Sequence, residues 1–417
     1  MKLAIPAKQH RCLDIKGSLV VARRDRRYTE LDSLRGLAAL AVVGHHYLLL
    51  LPQVYAAILP VYDPSAPQTP VSLWWLVFTP LHLLWAGTEA VAFFFVLSGF
   101  VLALPFCSGR VSYLPFLAKR ICRIYPPYLV AVLSAILIAS LVSEKHLTGL
   151  SPWFGGIWKT PISWSLLLNQ VVLIGNFKNG VFDPVVWSLV HEMRISLVFP
   201  LIMLLLVRWN WKVCLSGSVV LAVVGAYVPF GLSVVTLQYV PMFVVGALLA
   251  KHREGIAGFG RELSPRAAAT LAIAGVLLYT YAWWFFPHSS LVHPAYGVTY
   301  GRLLNDAATC SGASIFIVLA ISRKEAWAFL RQPILAWLGS ISYSVYLFHA
   351  VALFSLVYLL YPRVPLIVIW PLALAVTAAL ASLSYRFVEV PWISVGHRLT
   401  GLSVPARSSQ EVARPAA

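Results

Sequence analysis

The chain has 417 residues, 59% of them hydrophobic and 11% charged, and a mean hydropathy of +0.79 excludes a soluble globular domain. The formal charge of +17 invites a nucleic-acid partner, but the cations are spread along the chain in a way that membrane topology explains without one.

Residues 1–30 form a basic segment containing "RRDRR", expected to lie in the cytoplasm against anionic headgroups. Its only apolar patch is "SLVVA", too short for a signal peptide, so the first span is expected to anchor the chain. Apolar runs follow near 34–53, 88–106, 125–143, 193–207, 213–230, 234–250, 267–286, 307–321, 336–360 and 365–386. Crossing about 30 Å of hydrocarbon takes about 20 helical residues, so these predict about ten transmembrane helices. With the N-terminus inside, the cytoplasmic segments hold 24 Lys and Arg residues and the outer segments five, the positive-inside pattern. The prediction is an all-α, polytopic integral membrane helix bundle over residues 31–395 with both termini cytoplasmic. A polar tail, 396–417, is expected to be disordered.

The long outer loop, 144–192, carries "SPWFGGIWKTPISW" and reads as interfacial, with a half-buried helix near 163–174. Together with "FPHSSLVHPAYGVTYGR" it would form the outer mouth of any cavity. Cys12, Cys107, Cys122, Cys214 and Cys310 show neither a metal spacing nor a disulfide framework.

Ionisable groups inside membrane spans are costly and mark functional sites. The first span, "SLRGLAALAVVGHHY", contains three. At about 100° per residue, the eleven steps from Arg35 to His46 return to within about 20° of the starting direction, whereas His45 lies about 80° away. Arg35 and His46 therefore share a face, and Asp32 can join it. Gly36, Leu40 and Gly44 form a separate face suited to close helix approach. At about 1.5 Å per residue His46 sits about 16 Å beyond Arg35, near the bilayer middle, where an imidazole can act as a general base. Taken singly, Arg35 reads as a snorkelling anchor and His46 as an interhelical hydrogen bonder; the in-line pair favours a functional reading.

Three further groups stand out. In "WSLVHEMRISLVFP", Trp187, His191, Glu192 and Arg194 open the fourth span, and Ile195 replaces the second histidine of a zinc-protease motif, so no metal is expected. Glu192 could orient His46 from the outer side, bind an acceptor hydroxyl, or be a solvated interfacial carboxylate. In "FLAKRICRIYPPYLV", Lys119, Arg120 and Arg123 cluster at a helix start; they suit a polyphosphate such as that of coenzyme A, although sequence alone reads them first as positive-inside anchors. Glu89, Ser98, His349 and Glu389 are buried polar candidates, each read singly as an interhelical hydrogen bonder. Trp187, Glu89, Ser98 and His349 are kept as candidate substrate-binding residues.

The stretches "LDSLRGLAAL…H", "AFFFVLSGFVL", "RICRIYPPYL", "WSLVHE", "MFVVGALLA", "ISYSVYLFH" and "YRFVEVPW", in this order over about residues 30–395, resemble the acyltransferase-3 family. These are polytopic O-acyltransferases that decorate bacterial polysaccharides, lipopolysaccharide and related glycans. The resemblance implies catalytic roles for Arg35, His46 and Glu192, and a place for Arg120 and Arg123, with Lys119, on the acyl-CoA side. It implies acetyl-CoA as donor, a carbohydrate or lipid-linked glycan as acceptor, membrane lipids as surroundings and the inner membrane as location. His46 is then the general base, or carries an acyl-histidine relay; Arg35 holds the donor or stabilises developing negative charge; Glu192 polarises the histidine or places the acceptor. The competing class is a proton-coupled transporter that uses the same residues as a relay, which the lack of an internal repeat disfavours.

Overall fold

The computed structural model describes residues 28–62, 74–109, 111–142, 147–175, 179–227, 232–285, 294–323 and 325–401. The basic segment before Tyr28, the tail after Gly401 and residues 286–293 of the second outer segment lie outside the described residues. Among those described, the regular elements are all helical. The principal ones are α1 (Thr29–Leu48), α2 (Pro52–Tyr62), α3 (Gly87–Ser108), α4 (Tyr113–Val142), α5 (Val186–Arg208), α6 (Trp211–Tyr227), α7 (Leu232–Lys251), α8 (Arg253–Glu262) and α9 (Pro265–Tyr279). They are followed by α10 (Pro294–Ser322), α11 (Pro333–Leu360), α12 (Leu366–Ser384) and α13 (Val390–Leu399).

Among the described residues six helices are long and apolar enough to cross a membrane: α3, α4, α5, the Arg302–Ser322 part of α10, α11 and the continuous Leu366–Leu399 rod. Two bent pairs, α1 with α2 (106°) and α7 with α8 (75°), raise the number to eight if each crosses as one span. The expected ten is thus not reached by length and composition. The shortfall falls on α6 and α9, whose 17 and 15 residues extend only about 25 and 22 Å, less than the hydrocarbon core.

Local sequence explains the breaks. Pro52 cannot donate to the end of α1, so the chain turns there, and the carbonyls left over must be satisfied in an apolar setting. Ser151 of the outer loop does this: its N–H donates to Leu50 O at 3.0 Å and its hydroxyl to Leu49 O at 2.5 Å. Pro126 and Pro127 do not end α4, which runs as one 30-residue helix through them. Membrane helices tolerate such prolines when neighbours cover the interrupted turn, and here Tyr343 donates to Ile124 O at 2.7 Å. Lys119, Arg120 and Arg123 accordingly sit within the early turns of a long helix, and the third span does not begin at Tyr125. Leu133, Leu137 and Leu141 recur every fourth residue farther along α4 and are exposed, an apolar stripe suited to lipid.

Helix α1 is flanked by α11 and α3, and α3 packs in turn on α7. The α3–α7 contact is backbone on backbone. A Cβ on Gly99 would lie 2.2 Å from Phe243 O, and one on Gly246 1.9 Å from Val96 O. The long 144–192 loop folds inward: Phe154, Trp158 and Phe182 are fully buried, Trp158 Nε1 donates to Phe182 O at 2.7 Å, and Tyr358 donates to Ile157 O at 2.9 Å. This segment packs onto the bundle, and the anticipated helix is present at Trp164–Val172.

Gly246→Ala should force α3 and α7 apart and cost about 1–3 kcal/mol or more, lowering the melting temperature in detergent micelles. Gly217→Ala, whose Cβ would meet nothing within 4 Å, should leave it unchanged or raise it. Equal melting of Gly246→Ala and wild type would contradict the close α3–α7 contact.

Candidate functional site

Helices α1 and α11 run parallel, and polar contacts join them in the same order along both. Ser33 donates to Leu330 O at 2.6 Å just before α11 begins. Arg35 Nε donates to Ser342 Oγ at 3.0 Å, and its Nη2 donates to Gly339 O at 3.3 Å and to Asp32 Oδ1 at 3.1 Å. Gly339 allows this register, because a Cβ there would lie 2.3 Å from Asp32 O. Eleven residues, about 16 Å, farther along α1, His46 Nδ1 lies 2.8 Å from His349 Nε2. Arg35 and His46 therefore both turn to α11, as their helical spacing predicts, and Asp32 joins them.

The neighbouring histidine points elsewhere. His45 stacks on Trp85 and packs against Gly87, where a Cβ would come within 2.6 Å of its side chain. The two first-span glycines do not share one partner: Gly36 meets Leu338 and Gly339, whereas Gly44 meets Trp85.

A cavity of about 730 Å³ opens among α1, α3, α4, α5 and α11. At one end Ser108, Gly109, Ser112 and Thr400 line it, where α3 ends, α4 begins and α13 ends. Among the described residues its wall carries four cations, Arg35, Lys119, Arg120 and Arg123, against the single carboxylate of Glu192. Farther in, Val91, Phe94, Phe95 and Leu97 make it apolar. A basic mouth leading to an apolar slot fits a ligand with a charged head and a slender, less polar arm.

Glu192 does not reach His46. It accepts hydrogen bonds from Arg120 Nη2 and, at 2.7 Å, from Ser98 Oγ, while Arg120 Nε donates to Ser196 Oγ at 3.1 Å. The expectation of an outer carboxylate over His46 fails because of depth. Glu192 lies almost two turns inside α5, and the cationic stretch of α4 begins two turns before the prolines, so the two groups meet within the bundle. A carboxylate and a guanidinium that are both largely buried need one another. The rest of the "HEMR" stretch is structural. His191 pairs with Thr236 Oγ1 at 2.9 Å, and Arg194 donates to Ile174 O, Gly175 O and Thr236 Oγ1.

Of the other sequence candidates, Ser98, Lys119, Arg120 and Arg123 line the cavity, while Trp187, Glu89 and His349 do not. Trp187 is exposed, its ring edge-on to His191. Glu89 is buried and accepts from Trp283 Nε1 at 2.7 Å. His349 is buried against His46.

The residues between cavity and histidines escaped the sequence reading. Phe94 and Tyr346, with ring centroids 5.6 Å apart, close the inner end of the cavity. Tyr346 is held by Ser188 Oγ at 2.7 Å and donates to Val185 O at 3.2 Å, and His349 follows it by one turn. Beyond this pair, Trp153 of the folded outer loop stacks on His46 at 5.5 Å with ring planes 12° apart. The signal for Tyr343, Tyr346 and His349 was present in "SYSVYLFH" as an i, i+3, i+6 stripe. Among the described residues no group of three His, Cys, Asp or Glu side chains converges as a metal site.

Comparison with known proteins places these features in context. A family model described as an acyltransferase domain, acyltransferase-3, matches residues 28–386. A relative from Streptomyces mycarofaciens, "Acyltransferase MdmB", is 28% identical over 283 residues, which is 64% of this chain and 69% of the relative. No solved structure matches the chain.

Arg120 and Glu192 should behave as one unit. Arg120→Ala and Glu192→Ala are each expected to lower stability in micelles, and the double variant to be no worse than the more damaged single, a coupling of about 1–3 kcal/mol. Additive losses would show that the two charges do not depend on each other.

Proposed function

The chain belongs to the acyltransferase-3 family and is a membrane acyltransferase; from that premise we propose that it is an inner-membrane O-acyltransferase carrying an acyl group, acetyl by the family resemblance, from cytoplasmic acyl-CoA to a hydroxyl of a cell-surface or exported glycan or glycolipid. Ten spans with both termini in the cytoplasm fit this reading, because they put the basic mouth of the cavity on the side where acyl-CoA is found. The observation that carries it is a four-cation cavity that ends one helical turn from an intramembrane histidine pair.

Lys119, Arg120 and Arg123 bind the phosphates of coenzyme A, guanidinium offering paired donors to each phosphate. Glu192 is a positioning group that holds Arg120 in the wall. The pantetheine arm lies along Ser98 and the apolar slot, and the thioester comes to rest at Phe94 and Tyr346. Those rings must give way before the acyl carbon can meet the acceptor. His46 takes the proton from the acceptor hydroxyl as its oxygen attacks the thioester carbon, and returns it to the departing sulfur. Arg35, anchored on α11 and lining the same cavity, holds the donor along its arm. With enzyme membership shown, the transporter reading has no observation of its own in favour.

His46→Ala should lower acetyl transfer about 10²- to 10⁴-fold at normal expression. The assay is incorporation of label from radioactive acetyl-CoA into vesicles made from the envelope lipid and glycolipid extract of a deletion strain. His45→Ala, which loses packing on Trp85 and Gly87, should reduce stability far more than turnover per folded molecule. Wild-type turnover in His46→Ala would overturn the assignment.

A further inference from the structure

The histidine pair contains more information than one close contact. His349 Nδ1 lies 3.1 Å from Val345 O, one turn earlier on α11, and His349 Nε2 lies 2.8 Å from His46 Nδ1. A carbonyl oxygen can only accept, so the proton of the first bond belongs to His349 Nδ1. A neutral imidazole carries one N–H, so His349 Nε2 presents a lone pair. The second bond then takes its proton from His46 Nδ1, and the lone pair of His46 falls on Nε2.

We infer that His349 is a positioning residue that fixes His46 in its Nδ1–H tautomer and makes His46 Nε2 the atom that accepts the proton of the acceptor hydroxyl. This rests on the reading of His46 as general base and adds the atom and the device behind it. The chain Val345 O, His349, His46 has the geometry of an Asp-His pair, with a neutral imidazole tied to the backbone in place of the carboxylate. When Nε2 takes the hydroxyl proton, the positive ring still donates from Nδ1 to the His349 lone pair, and the proton on Nε2 then passes to the departing thiolate. No proton is left over, and His349 need not ionise. That suits its surroundings: it is fully buried, it packs by Tyr346, and neither it nor His46 takes part in any of the described ion pairs. Trp153 and His349 confine the His46 ring from two sides, with ring planes only 12° and 26° from its own, which restricts the rotation that would exchange Nδ1 and Nε2.

The test uses the full-length protein in nanodiscs, with His349→Leu, which cannot accept a hydrogen bond, and His349→Gln, whose amide oxygen can stand where Nε2 stood. His349→Leu should lose about 10²- to 10⁴-fold in turnover from acetyl-CoA to the envelope extract, as expected when a catalytic histidine loses the group that sets its tautomer. KM for acetyl-CoA should stay within about threefold and the thermal shift produced by coenzyme A should be retained, because the basic cavity is untouched. His349→Gln should recover at least about a tenth of wild-type turnover. Nitrogen NMR of ring-labelled histidine, with the His46 signals assigned by their loss in His46→Gln, should show Nδ1 protonated and Nε2 bare in wild type and a changed tautomer in His349→Leu. Wild-type turnover in His349→Leu, equal losses in Leu and Gln variants that both bind coenzyme A, or a protonated Nε2 in wild type would each overturn the inference. The wild-type spectrum decides the tautomer even if a variant fails to fold, and an active His46→Ala would remove the base assignment while leaving the tautomer measured.

Discussion

An ionisable side chain carried into hydrocarbon must be given a partner there, and for α1 that partner is α11. The parallel register of these two helices, set where Gly339 lets the Asp32 backbone approach, places Arg35 on Gly339 and Ser342 and, about 16 Å farther on, His46 on His349. Neither residue of α1 could be shifted by one position without losing its contact, so the distance between Arg35 and His46 is built into the helix pair. The outer loop secures the far end of the same arrangement. Ser151 satisfies the Leu49 and Leu50 carbonyls left over at the turn after α1, and this brings Trp153 onto the face of His46.

The same constraint divides the interior into two compartments. On one side the cations of α1 and α4 line a cavity of ligand size, Arg120 paired with Glu192 and Arg35 with Asp32. On the other lie the histidines among aromatic rings, with Phe94 and Tyr346 between. In the proposed mechanism, keeping the cations apart from the imidazole has a chemical advantage, because cations close to a base would weaken it.

Much of this could be read in the sequence, and what could not has identifiable causes. The alignment of Arg35 with His46 follows from helical period alone, since both lie within one continuous helix. The His46–His349 pair could not be read, because periodicity within a helix says nothing about which of two distant helices faces it. That Glu192 meets Arg120 and not His46 was hidden by depth: with the third span counted from residue 125, the cations stand at a helix start and not inside the bundle. The structure carries α4 through both prolines and brings Arg120 to Glu192. The burial of Phe154, Trp158 and Phe182 in the 144–192 loop could not be read, because tryptophan and proline mark interfaces and folded caps alike. Helices α6 and α9 show the limit of counting apolar runs, since their composition is that of a span and their length is not.

The most direct test of the central claim is an experimental density map of the protein in nanodiscs with coenzyme A bound. The account requires the phosphates to lie against Lys119, Arg120 and Arg123, with the pantetheine arm running past Ser98 and Arg35 and the thiol ending at Phe94 and Tyr346, one turn from His349. Nucleotide density at the opposite end of the bundle beside Trp153, or bound coenzyme A that touches none of the three cations, would contradict it.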